Sequence, residues 1–352
     1  MSFKGKVDRA SEGIKPYLPV IKWFSKRLAI ALITIYFAVT LSFIIIKSMP
    51  GDPVEALTQA FITQYYMDYE SARSLAETVA PFVPRGPLWL QYIDYISKFF
   101  RGDLGVSISY STGTPVMDLL AKTIPWTVLV VATSLVISFG IGVVIGMVMA
   151  YKHGGKLDSF LAVLFSIIRS IPEYIVAIVL LIALGFQLKL FPTGGAFSSG
   201  VQPNLSLQFI ADVLWHAALP ILTWITVHIG GWALGMRGST IGVLGEDFIT
   251  YAKARGLPSR RIVITYVGKN AILPLFTSFM LSIGFMFGGS IFIEYIFSYP
   301  GVGRLLYSAV SERDYFLMLG VFNIIIVAVV FAALLADILY GVIDPRIRRG
   351  TT

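Results

Sequence analysis

Cysteine is missing from the 352 residues. Its absence removes disulfides, thiolate metal sites and cysteine nucleophiles together. Histidine is nearly as scarce: His153, His216 and His228 make up the whole set, and none stands at ligand spacing. Charge is thin, with 14% of residues being Asp, Glu, Lys or Arg, against about 25% in an ordinary soluble domain. No HExxH, CxxC or GxSxG signature is present. A Gly-Lys pair stands at Gly155-Lys156, but position 150 is Ala and position 157 is Leu. The phosphate-binding pattern GxxxxGK followed by Ser or Thr therefore fails twice. These absences argue against metal chemistry, a nucleotide site on this chain and most water-soluble enzymes.

What fills the space is hydrocarbon. The apolar fraction is 56% and the mean hydropathy is +0.77. A helix needs about 20 mostly apolar residues to cross a hydrocarbon core roughly 30 Å thick. Six stretches qualify: Leu28–Ile46, then about Ile124–Ala150, Ser159–Leu184, Val213–Met236, Leu273–Phe297 and Leu317–Tyr340. The first is too long for a cleaved signal segment and continues directly into "IIIKSMPGDP", so it reads as an uncleaved span. The fold class expected is an all-α membrane protein with six transmembrane helices.

An even number of spans places both termini on one side. Residues 1–27, 151–158, 237–272 and 344–352 hold 18 Lys and Arg in 80 residues. Residues 47–123, 185–212 and 298–316 hold nine in 124. The first set is about three times denser in positive charge, so it is expected to be cytoplasmic, both termini included. The net charge of +8 is then a basic inner face, not a nucleic-acid surface. Domain organisation follows: an N-terminal cytoplasmic segment 1–27, a first span 28–46 and an extracytoplasmic segment 47–123. After these come a core 124–343 with an inner loop 237–272, and a basic tail 344–352.

Within the outer segment, Leu88, Tyr92, Tyr95 and Phe99 are spaced like one face of a helix. That helix suits the outer interface, or a lid or docking surface for a soluble partner. Three GxxxG pairs, Gly142/Gly146, Gly231/Gly235 and Gly284/Gly288, suit close helix contact. Arg169 and Glu173 stand four residues apart in span three, on one face of a continuous helix, with Pro172 between them as a kink. An unpaired Arg at the bilayer centre costs roughly 2.5–3.5 kcal/mol on insertion scales. The two residues are candidates for a polar patch in a transport path, or for a structural ion pair. Glu294 and Asn323 read as near the outer surface, and Asp337 as meeting the basic tail.

The inner loop carries the most information. It begins amphipathic, stops at Gly256 after "DFITYAKAR" and resumes helix after Pro258. A short exposed helix on the inner side suits a groove in a soluble partner. It also suits contact with anionic lipid. This segment, "DFITYAKARGLPSRRIVITYVGKNAILP", resembles the coupling loop of ABC-importer permeases, in the long form of the oligopeptide/dipeptide/nickel branch. Thr250-Tyr251-Ala252 stands where the generic motif has Glu-Ala-Ala, and Gly256 matches its glycine; the Glu is missing. Further stretches resemble the B-type membrane subunit of that branch: "MPGDP" (49–53), "PLWLQYIDYISKFFRGDLGVS" (87–107), "IPWT" (124–127), "EYIFSYPGVGRLLYSAVSERDY" (294–315) and "ADILYGVIDPRIRR" (336–349).

The resemblance implies a type I importer permease fold and a non-catalytic subunit in a prokaryotic cell membrane. The implied partners are a homologous second permease, two ABC ATPase subunits that hold ATP and Mg, and an extracellular solute-binding protein. Asp247, Phe248, Tyr251, Ala252, Arg255, Gly256 and Leu257 become the candidate ATPase-coupling residues, and Arg169 and Glu173 the candidate translocation-path residues. The implied cargo is a peptide, with an oligosaccharide or a nickel chelate as alternatives. A membrane-embedded enzyme lacks a catalytic constellation here. An ion-coupled transporter would not need the inner helix–Gly–helix.

Overall fold

In the computed structural model, residues 18–48, 53–79, 86–204 and 206–343 are described. The first 17 residues, "MPGD" of the MPGDP motif, most of the Pro-rich stretch "PFVPRGP" and the tail from 344 lie outside them. Among the described residues every regular element is a helix, and one isolated bridge joins Val106 to Pro115.

The elements run α1 (Leu18–Lys47), α2 (Pro53–Tyr65), α3 (Tyr69–Val79), α4 (Leu88–Phe100), α5 (Val116–Tyr151) and α6 (Lys156–Ser170). Next come α7 (Glu173–Leu180, prolonged by a π-helical turn Leu181–Gln187), α8 (Leu207–Leu244) and α9 (Asp247–Ala254). Then Ser259–Arg261 and a π-helical stretch Ile262–Gly268 lead into α10 (Lys269–Phe285), followed by α11 (Ile291–Ile296), α12 (Val302–Ser311) and α13 (Tyr315–Ile343).

Among the described residues five helical stretches are long and apolar enough to cross a membrane: Trp23–Ile45, Val116–Tyr151, Leu207–Leu244, Ser259–Ile296 and Tyr315–Leu339. The sixth crossing is α6 with α7, bent by 96°. The sequence led us to expect a kinked but continuous helix there, and the structure corrects this. A proline disfavours the helical region for the residue before it and has no N–H to continue the ladder. Ile171 (ψ 126°) and Pro172 (ψ 139°) are accordingly both extended, so the helix stops and restarts.

The scaffold is the pairing of α5 with α8. A Cβ added at Gly142 would stand 2.5 Å from Trp232 Cβ, and one at Gly146 would strike the Ala233 carbonyl oxygen and crowd Met236. This GxxxG pair brings two backbones together, and Gly284 does the same against Val329 and Ala332 of α13. Gly231 and Gly235 meet no such backbone among the described residues. Along its length α5 passes several cores, a small one of Met149 with Phe165 and Ala233 among them. Val116 and Leu120 join Val302, Leu305 and Leu317 at one end. Val130 joins Leu219, Ile293, Phe297 and Tyr299 in the middle. Phe139, Val143 and Met147 join Met236, Ile249, Ile262 and Val267 at the end that carries α9.

Candidate functional site

At the α9 end, α8 stops at Leu244 and the chain turns through Gly245 and Glu246 into α9. The eight residues of α9 are too few to be stable as a free helix; burial of one face holds it. Ile249 is 0% and Ala252 3% exposed, packed into the cluster of Met236, Ile262, Val267 and Ala271. The opposite face has no partner among the described residues: Tyr251 is 72% and Phe248 38% exposed, and Asp247, Lys253 and Arg255 are exposed beside them.

The end of α9 is a Schellman motif. Gly256 N–H donates to the Lys253 carbonyl and Leu257 N–H to the Ala252 carbonyl, with Gly256 at φ +67°. Leu257 then returns to the same apolar cluster. Of the seven residues singled out in the loop, Asp247, Phe248, Tyr251 and Arg255 point outward. Ala252 and Leu257 hold the helix to the body, and Gly256 makes the turn. Beyond it the π-helical stretch seats Gly268 against Met147 of α5. Through these contacts α9 is joined to α5, α8 and α10.

A buried ion pair braces this end. Asp158 on α6 accepts from Arg237 Nε (2.5 Å) and Nη2 (2.8 Å) on α8, and from Gly154 N–H (3.1 Å). His153 Nδ1 lies 3.2 Å from the same carboxylate. Residue typing alone had marked neither Asp158 nor Arg237, because the pair joins positions 79 residues apart.

Arg169 and Glu173 are not an ion pair, and the break explains why. The i,i+4 argument needs one continuous helix; here Arg169 closes α6 and Glu173 opens α7. Each charge sits at the helix end whose dipole favours its sign. Glu173 is half-buried and accepts from Ser290 Oγ at 2.7 Å, within electrostatic reach of His228. Arg169, Ser170 and Pro172 are exposed at the break.

The opposite end holds buried polar groups whose partners no local sequence pattern marks. Glu294 is 1% exposed, enclosed by its neighbours. It accepts from Thr127 Oγ1 (2.8 Å), Gly303 N–H (2.7 Å) and Arg304 N–H (3.2 Å), so it caps α12 from another part of the fold. Two glycines make the room: a Cβ at Gly301 of "SYPGVG" would strike the Glu294 carboxylate, and one at Gly289, just before α11, would stand 2.5 Å from its Oε1. Asp314 is fully buried. One of its oxygens accepts from Ser107 Oγ (2.5 Å) and from the N–H groups of Ile108 (2.9 Å), Ser109 (3.0 Å) and Tyr110 (3.2 Å). The other caps α13 through Leu317 N–H (3.1 Å). Two separate sequence motifs, "GDLGVS" and "SERDY", are thus one structural unit.

Buried Asn323 is bonded to the Tyr95 hydroxyl of α4 at 2.8 Å. Burial pushes the Tyr95 phenol up to about 12, so it stays protonated and able to donate. Asp337 pairs with Arg27 of α1 at 2.5 Å, where the sequence suggested the basic tail.

These features define a helical membrane protein with a rigidly mounted, outward-facing aromatic pair. Among the described residues no three His, Cys, Asp or Glu side chains gather as a metal site. Residues 142–349 match the family described as the binding-protein-dependent transport system inner membrane component, and the chain belongs to that family. It is similar to the oligopeptide transport system permease protein AppB of Bacillus subtilis: 32% identical, over 87% of this chain and 93% of that protein. A putative peptide permease of Brucella suis is also 32% identical, over 94% of this chain and 99% of its own length. The dipeptide transport system permease protein DppB of Escherichia coli K12 is 28% identical, over 94% and 99%. The chain is therefore a non-catalytic, multi-pass inner-membrane permease of an ABC importer, which works with an ATPase and a binding protein.

Proposed function

We propose that this permease carries peptides through a pathway shared with a homologous second permease, driven by two ATPase subunits that seat α9. The observation that carries the coupling role is the two-faced burial of α9. Ile249 and Ala252 lock it to three spans, while Tyr251 and Phe248 stand bare for a socket. Aromatic anchors of this kind commonly dominate interface energy. A push on so short and firmly held a helix moves the spans behind it as rigid bodies. Arg255 is placed to pair with ATPase carboxylates. The charge count supports a cytoplasmic α9 end with both termini on that side, and hence an outer α12 end that receives the binding protein.

The break at Ile171–Pro172 supports a place in the pathway wall. Non-helical backbone at membrane depth is tolerated against protein or water, not lipid. Arg169 and Glu173, unpaired with each other, offer one group of each sign, as the two termini of a peptide require. The named peptide permeases among the relatives favour the same cargo.

The test is uptake of a labelled dipeptide or oligopeptide into vesicles holding the complete transporter with its binding protein. ATP-dependent uptake is expected. Arg169→Ala should lower it while assembly stays normal. If that variant lowers only the yield of folded complex, Arg169 is structural and the pathway reading fails.

A further inference from the structure

The α9 end carries a second feature that the coupling role does not use. A groove of about 650 Å³ runs between the end of α5 and the stretch just beyond α9. Its walls are Val144, Met147, Val148, Val263 and Ile264, and its mouth carries Tyr151, Lys152, Ser259 and Arg260. Val144, Val148 and Ile264 are exposed hydrocarbon. No acidic side chain lines the groove, and among the described residues neither Lys152 nor Arg260 is in an ion pair.

We propose that this groove holds one anionic phospholipid, its acyl chain along Val144, Val148 and Ile264 and its phosphate between Lys152 and Arg260. Three observations converge on that occupant. The apolar walls continue the span surface of α5, which ends at Tyr151. The two cations and the Tyr151 ring sit at that end, where a phosphate and the interfacial region would lie. The charge at the mouth is of one sign only, and basic pockets between spans on the cytoplasmic side suit anionic headgroups. A soluble helical partner would bring its own polar face against hydrocarbon here. The inference rests on the cytoplasmic placement of the α9 end given above. It has a consequence for regulation: Ser259 and Arg260 follow Leu257 by two and three residues, so a lipid bound here steadies the base of the coupling helix.

The experiment uses the complete transporter in nanodiscs of mixed phosphatidylglycerol and phosphatidylcholine, with retained lipid read by native mass spectrometry. The wild type should keep phosphatidylglycerol in preference to phosphatidylcholine as delipidation proceeds. With about 1 kcal/mol for each basic residue near an anionic surface, Lys152→Gln with Arg260→Gln should weaken that retention about 30-fold. Ile264→Trp, which fills the groove and spares both charges, should also displace the lipid. Equal retention in wild type and variants, or no headgroup preference, overturns the proposal. So does a disulfide between Val148→Cys and a cysteine on the second permease, since the groove would then be a subunit contact. Orientation is read separately: the chain has no cysteine, so a lone Lys253→Cys reports its side. Labelling from outside the cell would sink the placement of α9 without touching the lipid measurement.

Discussion

The two ends of this molecule each mount a short helix, α12 with a polar cap from Glu294 and α9 by burial of one face. At the α12 end, Glu294 and Asp314 are carboxylates taken out of solvent and supplied with donors. Glu294 has one hydroxyl and two amides; Asp314 has one hydroxyl and four amides. Every donor comes from the chain itself, so these carboxylates need no partner. At the α9 end the inner face is equally well packed, yet Tyr251 and Phe248 are left in the open. An end whose polar groups are satisfied inside is built for holding shape. An end whose aromatics are exposed on a rigid mount is built for a partner.

The largest effect is expected at Asp314. Asp314→Ala orphans five donors, and each buried unmade hydrogen bond costs about 1–3 kcal/mol. A loss on the order of 3 kcal/mol or more is expected even if some donors find water. Thermal unfolding and folded yield of the purified complex would show it. Near-wild-type stability would mean that the 107–110 loop is not held by this carboxylate. Tyr251→Ala should do the reverse. Truncating a central interface aromatic costs about 2 kcal/mol or more of binding, so ATPase affinity and coupled uptake should fall while unfolding temperature stays put. A variant that loses stability but still couples would reverse the assignment of the two ends.

How much of this was legible beforehand depends on how local each feature is. The spans show as hydrocarbon runs because each helix must be apolar along its own length. The helix at 247–254 shows because its stop, Gly256, lies within two residues of its last turn. Features made by distant partners do not show. Asp314 meets Ser107 across 207 positions and Glu294 meets Thr127 across 167, and nothing in either local pattern marks those donors. The break in span three failed differently. Hydropathy averages over Ile171 and Pro172, so the run looks continuous, and the i,i+4 pairing of Arg169 with Glu173 fell with the helix it assumed. Likewise Gly142/Gly146 and Gly231/Gly235 look alike as text, but only the first has a backbone opposite it.

A smaller effect is expected at Gly256. Its φ of +67° is the left-handed region, which costs a residue with a Cβ roughly 1–2 kcal/mol, and valine most because its branch stiffens the backbone. No atom stands near an added Cβ, so strain alone acts. Gly256→Val should loosen the end of α9, lower uptake per ATP hydrolysed and leave global unfolding nearly unchanged. Gly256→Asn, which tolerates this region better, should recover most of the coupling. Equal coupling in all three proteins would show that the turn is not part of the lever.

The smallest effect is expected at Arg27–Asp337. This pair ties α1 to α13, and α1 is otherwise largely exposed, with Val39 and Phe43 among its few buried side chains. Position suggests a pin, but both side chains are more than a third exposed. Pairs of that kind contribute about 0–1 kcal/mol. The Tyr92 hydroxyl already joins α4 to α1 through Thr40 at 2.7 Å, and Phe43 packs on the Tyr95 ring at 5.1 Å. Arg27→Ala should therefore shift unfolding by under about 1 kcal/mol, and raised salt should shrink the difference further. A loss approaching that of Asp314→Ala would show that α1 hangs on this contact, and that the molecule has a third region which needs a charge pair to hold its shape.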